Sequence, residues 1–207
     1  MNELLKQISD CPKKLFCLGN EELLKEKKLV AVVGSRKMSE YGKWVIGMMV
    51  PELVKNGIVI VSGMAFGVDA EAHRVCIENG GKTIAVLASG VDMVSPKSNQ
   101  WVYEMILKNK GLIVSEYKNG TEPSAEKFLA RNRIISGLSQ GVLVIEGAKK
   151  SGAMNTASNA AKQGREVWAV PGRINDENSA TPNWLIKNGA KLITEAEEIL
   201  EDLGTDI

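Results

Sequence analysis

The residues in this chain whose types and spacing can do chemistry are glycines, hydroxyls and cations, and they follow short apolar runs. Gly34-Ser35-Arg36-Lys37-Met38-Ser39 comes after the first such run. A glycine lets the backbone approach a ligand, the turn amides and the Ser35 hydroxyl can donate to an oxyanion, and Arg36 adds a bidentate fork. The same string also reads as a tight turn with Ser39 as the N-cap of a helix. Ser62-Gly63-Met64-Ala65-Phe66-Gly67-Val68-Asp69 follows the second run. Gly63 and Gly67, four apart ahead of a helical segment, again suit an anion at a helix N-terminus. Asp69 and His73 stand i,i+4 and can meet on one helical face. A general base is one reading of that pair, but no nucleophile stands beside it, and a structural hydrogen bond or cap is the simpler one.

The richest stretch is Lys127-Phe128-Leu129-Ala130-Arg131-Asn132-Arg133. Cations with an aromatic on one helix are the parts of a groove for a single nucleic-acid strand, charge for phosphates and a ring for a base. The plain alternative puts Phe128 in the core and the arginines in surface ion pairs. Lys149-Lys150-Ser151-Gly152 offers a further phosphate site, a Ser-Gly pair opening a helix behind two lysines. Arg173 in Pro171-Gly172-Arg173 adds a cation after a later run. This order predicts Arg36, Lys149, Lys150 and Arg173 on one rim of a sheet, with Lys127, Arg131 and Arg133 nearby.

Other chemistries are excluded by what the chain contains. It has one histidine and three cysteines, none in a CxxC pair, which rules out a histidine-built metal enzyme and argues against zinc or a disulfide framework. That cysteine usage predicts a reducing, cytoplasmic setting. Neither GxGxxG nor GxxxxGK[ST] occurs after the first run, against a dinucleotide dehydrogenase and a P-loop NTPase. No cofactor and no metal are expected, and no enzyme activity. No apolar run approaches the roughly 20 residues that span a bilayer, and the first ten residues lack the apolar stretch of a signal peptide.

The elements that position these loops follow from the hydrophobic pattern. Near-continuous apolar runs at 29–33, 58–61, 83–87, 112–114, 142–145, 167–170 and 191–193 predict strands buried on both faces. Helical periods at about 40–56, 68–79, 98–109, 125–138, 156–163, 182–188 and 195–202 lie between them. The alternation predicts an α/β fold, an extended Rossmann-like, mostly parallel sheet with helices on both faces. Residues 1–28 are expected as a short helical lead-in and residues 29–203 as a single domain. With 26 basic and 25 acidic side chains, the net charge of +1 excludes a strongly basic histone-like binder. The charge is uneven, however: residues 110–173 carry +5 and residues 174–207 carry −6. A local basic surface is compatible with that distribution.

In such a sheet the loops past the strands' carboxyl ends hold the ligand. Their sequences resemble the DprA/Smf family of bacterial DNA-processing proteins. The matching blocks are Val30-Ala31-Val32-Val33-Gly34-Ser35-Arg36, Ser62-Gly63-x-Ala65-x-Gly67-Val68-Asp69 with Ala72-His73, and Gly81-Lys82-Thr83-Ile84-Ala85-Val86-Leu87. They continue with Gly111-Leu112-Ile113-Val114-Ser115-Glu116-Tyr117, Phe128-x-x-Arg131-Asn132-Arg133-Ile134-Ile135, Ser151-Gly152 and Thr156-Ala157. Gly164 to Gly172 and Leu185-Ile186-x-x-Gly189-Ala190 close the set, which covers roughly residues 12 to 200.

The resemblance implies a protein that binds single-stranded DNA, assists DNA uptake and recombination, protects the strand and loads a RecA-type recombinase on it. It implies a homodimer and no membrane. Arg36 would contact phosphate, and Lys127, Phe128, Arg131 and Arg133 would line the strand's path. The candidate set is Gly34, Ser35, Arg36, Gly63, Gly67, Lys127, Phe128, Arg131, Asn132, Arg133, Lys149, Ser151, Gly152 and Arg173. The chain departs from the family pattern at Phe66, where arginine is usual, at Ser95-Pro96, where Tyr-Pro is common, and at Thr181, where glycine is expected. Neither a helical domain before the core nor a winged-helix domain after it is expected. The alternative is a nucleotide or nucleotide-derivative sensor on the same rim. A phosphoribohydrolase is disfavoured because the string Pro-Gly-Gly-x-Gly-Thr-x-x-Glu is absent.

Overall fold

A computed structural model of the chain describes residues 2–204. It opens with one helical turn, α1 (Glu3–Lys6), and then a strand, β1 (Phe16–Gly19), followed by a 3-10 turn at Glu21–Lys25. The lead-in is therefore not purely helical, as its sequence suggested. β1 is an edge strand, antiparallel to a single neighbour, half-buried at Phe16 and Cys17 and exposed at Leu18 and Gly19. Such a strand needs no continuous apolar run, so it gives no such signal.

The seven apolar runs form the rest of the sheet: β2 (Leu29–Val33), β3 (Val59–Ser62), β4 (Thr83–Val86), β5 (Leu112–Ser115), β6 (Gly141–Val144), β7 (Glu166–Ala169) and β8 (Lys191–Leu192). The helices are α2 (Glu40–Lys55), α3 (Val68–Glu78), α4 (Gln100–Lys108), α5 (Ala125–Leu138), α6 (Gly152–Lys162), α7 (Ala180–Lys187) and α8 (Glu197–Asp202). α6 begins four residues earlier than its apolar period suggests. Ser151 Oγ accepts from the Met154 amide, and this cap draws the poor helix former Gly152 into the first turn.

The strands lie in the order β1-β5-β4-β3-β2-β6-β7-β8, all parallel except β1. Successive residues of one strand feed opposite faces, as a pleat requires. Leu29, Ala31 and Val33 pack with α5 and α6, whereas Val30 and Val32 pack with α2 and α3. α4 covers β4 and β5 through Val102 and Ile106. From β2 the chain order runs outward through β3 and β4 on one side and from β6 to β8 on the other. The order thus reverses between β2 and β6, and the crevice past their carboxyl ends is where such sheets take ligands.

Candidate functional site

A cleft of about 780 Å³ occupies that crevice. Gly34, Ser35, Arg36 and Lys37 after β2 form one side, Phe128, Leu129, Arg131 and Asn132 of α5 another, and Ser151, Gly152 and Thr156 of α6 a third. Glu177 and Asn178 close it from the loop before α7. The first turns of α5 and α6 both border the cleft, through Ser124 with Ala125 and through Gly152 with Ala153. Each helix N-terminus carries roughly half a positive charge. Two of them beside an exposed arginine make a site for anions.

The loops are held in shape by glycines and buried polar groups. A Cβ on Gly34 would stand 2.7 Å from the Val68 side chain, and one on Gly67 would overlap the Ser35 carbonyl oxygen. Gly67 also takes φ +69°, which glycine adopts freely. Gly63 lies against the Arg131 guanidinium and lends it a carbonyl at 2.7 Å. The two glycines of the second loop thus support the cleft from beneath and are not among its lining residues. Ser39 caps α2 through the Gly42 amide, and its own hydroxyl and amide donate to Glu146, a buried carboxylate just past β6. Thr181 donates to the Ala148 carbonyl at 2.6 Å and meets the Ser151 hydroxyl at 3.1 Å. Where a glycine was expected, this hydroxyl ties down the loop that presents Ser151. Glu146, Thr181 and Asn178 therefore belong to the architecture of the site although the candidate set omitted them. A polar residue ending an apolar strand, as at Glu146, is the signal that marks one of them.

Phe128 is the aromatic of the cleft. The Arg36 guanidinium carbon lies 5.1 Å from its ring centre and that of Arg131 lies 5.8 Å away. The two arginines differ in kind. Arg36 is exposed. Arg131 is 3% exposed, donates to the Gly63 and Val86 carbonyls and to Asn132 Oδ1, and faces Asp69. Burial pushes Arg131 down to about 10 and Asp69 up, while each charge holds the other back. Arg131 is thus a buried wall of the cleft, and its backbone partners occupy much of its donor fork. Asn132 donates to Asn155 Oδ1 at 3.1 Å, joining α5 to α6 across the cleft floor.

Several expected members are placed elsewhere. Arg133 is two residues from Arg131, and that spacing turns it to another side of the helix. It grips Glu116 with two nitrogens at 2.9 and 2.7 Å and pairs with Asp10, so it fastens the lead-in to the sheet. Lys127 donates to the Glu122 carbonyl and sits 5.5 Å from the Tyr117 ring centre, off the cleft lining. Arg173 borders a neighbouring groove of about 700 Å³ with Tyr41, Gly172 and Asp176. Lys149 and Lys150 are exposed on the turn just before Ser151. Asp69 and His73 form no general-base pair. Asp69 accepts from the Ala65 amide, and His73 Nδ1 lies 2.7 Å from Thr83 Oγ1. His73 is 0% exposed, and burial followed by the Arg131 charge drives it down to about 3, so it is neutral. Among the described residues no group of three or more His, Cys, Asp or Glu can hold a metal, and no helix is long and apolar enough to cross a membrane.

Comparison with known proteins matches residues 2–204 to a family model described as DNA recombination-mediator protein A. The DNA processing protein DprA of Bacillus subtilis is 42% identical over 199 residues, covering 96% of this chain and 67% of the relative. The crystal structure of DprA from Streptococcus pneumoniae superposes with a TM-score of 0.92 at 43% identity, over 97% of this chain and 70% of that one. The Helicobacter pylori DNA processing protein A, solved in a study of its single-stranded DNA binding mode, gives a TM-score of 0.89 at 34% identity, over 98% and 92% of the two chains.

Proposed function

The chain belongs to the DNA recombination-mediator protein A family, and from that premise we propose that it binds single-stranded DNA in the cleft at the carboxyl ends of β2 and β6. Phosphates lie against Arg36, Ser35, Ser151 and the opening turns of α5 and α6, and one base lies against Phe128. The observation that carries this reading is the combination of an exposed guanidinium, a half-buried aromatic ring and two helix N-termini around one cleft. Arg131 and Asn132 shape the wall, and Lys149, Lys150 and Lys127 flank it. Arg133 and Arg173 have no part in the primary contact. In this reading the protein acts by binding, and its buried histidine, set against Thr83, offers the cleft no general base. In the same reading a RecA-type recombinase receives the strand and the working unit is a homodimer. Both rest on the family resemblance, and a monomer in sedimentation at micromolar concentration would remove the dimer.

The test is titration of a fluorescent oligo-dT and the matching duplex. We expect preference for the single strand, with Arg36→Ala and Phe128→Ala each weakening binding at least about fivefold. One stacked base is worth about 1–3 kcal/mol, and a charge-assisted contact to phosphate is of similar size. Equal affinity for the duplex, or an Arg36→Ala variant that binds normally, overturns the reading. Displacement of the oligonucleotide by micromolar deoxynucleoside monophosphate would reassign the cleft to a small nucleotide.

A further inference from the structure

We infer that Phe66 is a second base-stacking platform, placed beside the cleft so that a single strand engaged at Phe128 continues across the carboxyl end of β3. The inference rests on the single-strand reading and extends it to a residue that is not in the candidate set. Phe66 is 47% exposed, although its flanking residues are held firmly. Ala65 before it lines the cleft, and Gly67 after it packs on the Ser35 and Arg36 carbonyls. Phe66 therefore stands beside the cleft, between a lining residue and the glycine that packs on the Ser35-Arg36 backbone.

The backbone is bent to put it there. Met64 adopts φ +56° with its side chain wholly buried, and Gly67 adopts φ +69°. A left-handed conformation is unfavourable at a residue with a side chain and persists only when its surroundings impose it. Those surroundings are present. Asn99 Nδ2 donates to the Met64 and Ala65 carbonyls at 3.0 and 3.1 Å, and Asp69 accepts from the Ala65 amide. Two residues with positive φ thus bracket Ala65-Phe66, and Phe66 is turned outward while Met64 and Val68 are buried. A core-seeking phenylalanine would not be held in this way.

The neighbourhood suits a strand. Beyond the loop, the 3-10 turn Lys97–Asn99 carries an exposed Lys97, and α4 opens with an exposed Trp101. Cations with aromatics between them are what a sequence-tolerant single-strand track requires.

The experiment compares wild type, Phe66→Ala and Phe66→Trp on oligo-dT and on an abasic oligonucleotide of the same length, which keeps the phosphates and lacks the bases. Phe66→Ala should lose about 5- to 150-fold on oligo-dT, one stacked base's worth, and little on the abasic strand. Phe66→Trp should bind oligo-dT at least as tightly as wild type. The log–log salt slope should be the same for all three, because no phosphate contact changes. If wild type binds and Phe66→Ala matches it on oligo-dT, or weakens equally on the abasic strand, the inference falls and the cleft reading stands. If wild type binds neither strand, both fall.

Discussion

At the residue scale, charge and burial separate groups that look alike in sequence. Arg131 and Arg133 sit in one motif, yet one is buried behind Phe128 and the other clamps Glu116 and Asp10. Their two-residue spacing already implied different sides of the helix. Which side faced the cleft depended on how α5 docks, and no local pattern carries that. His73 carries a testable consequence of its burial. Its proton affinity is depressed in the fold, from the ordinary 6.5 to about 3, so the unfolded chain binds a proton the native one refuses. The stability His73 confers is complete above pH 6.5 and declines as pH falls toward 3. Asp69 works in the opposite sense, since its raised affinity eases the cost of its burial as pH falls. The comparison that isolates His73 is wild type against His73→Gln, by urea unfolding at pH 7 and pH 5. Wild type should lose about 2 kcal/mol more than the variant over that interval, at 1.36 kcal/mol per pH unit below 6.5. Equal losses would show that His73 is not held neutral by the fold.

At the element scale, β2 to β6 were readable because burial on both faces leaves continuous apolar runs, while β7 and β8 stand near their expected bounds although Glu166 and Leu192 are exposed and two-faced burial is not complete there. β1 was not readable, because an edge strand with one neighbour alternates weakly and ends in a glycine. The start of α6 was misread for another reason. Gly152 is a poor helix former, and only the Ser151 cap and the Thr181 bond behind it fix the helix to begin there. That start yields a prediction in which stability and binding move apart. A side chain at Gly152 meets open space, with only Asn132 Nδ2 at 4.0 Å from its Cβ. Gly152→Asp places a carboxylate in the first turn of α6, where it complements the helix dipole and adds about 0.3–1 kcal/mol. The same carboxylate repels a phosphate at that turn. Unfolding midpoints should hold or rise while oligo-dT affinity drops at least tenfold. A variant that binds DNA as wild type does would remove the α6 N-terminus from the phosphate site.

At the scale of the whole molecule, the reversal of strand order between β2 and β6 decides where the cleft lies, and the distribution of charge decides which way a strand can leave it. Of the described acids after residue 173, Asp176 and Glu177 stand on the turn before α7, Glu177 at the cleft itself, whereas Glu195, Glu197, Glu198, Glu201 and Asp202 gather on and just before α8, alongside β8 at one end of the sheet. A polyanion leaving the cleft toward β8 would approach this acidic end, with Glu195 just past that strand's carboxyl end. Leaving over β3 and β4, it meets Phe66, Lys97 and Trp101. Repulsion at one end and stacking at the other thus favour the same path. Net charge near zero also limits how much of the binding is electrostatic. Arg74, Arg131 and Arg133 are engaged with protein partners, and the exposed cations around the cleft are Arg36, Lys37, Lys149 and Lys150. Two to four neutralised phosphates, at about 0.7 each for a single strand, give a log–log salt slope of about −1.4 to −2.8. Titrations of oligo-dT from 50 to 300 mM salt measure it. A slope near zero would mean that the helix ends and the rim cations hold no phosphate. One steeper than about −5 would require a basic surface far wider than this cleft, and would place the strand on a different face of the protein.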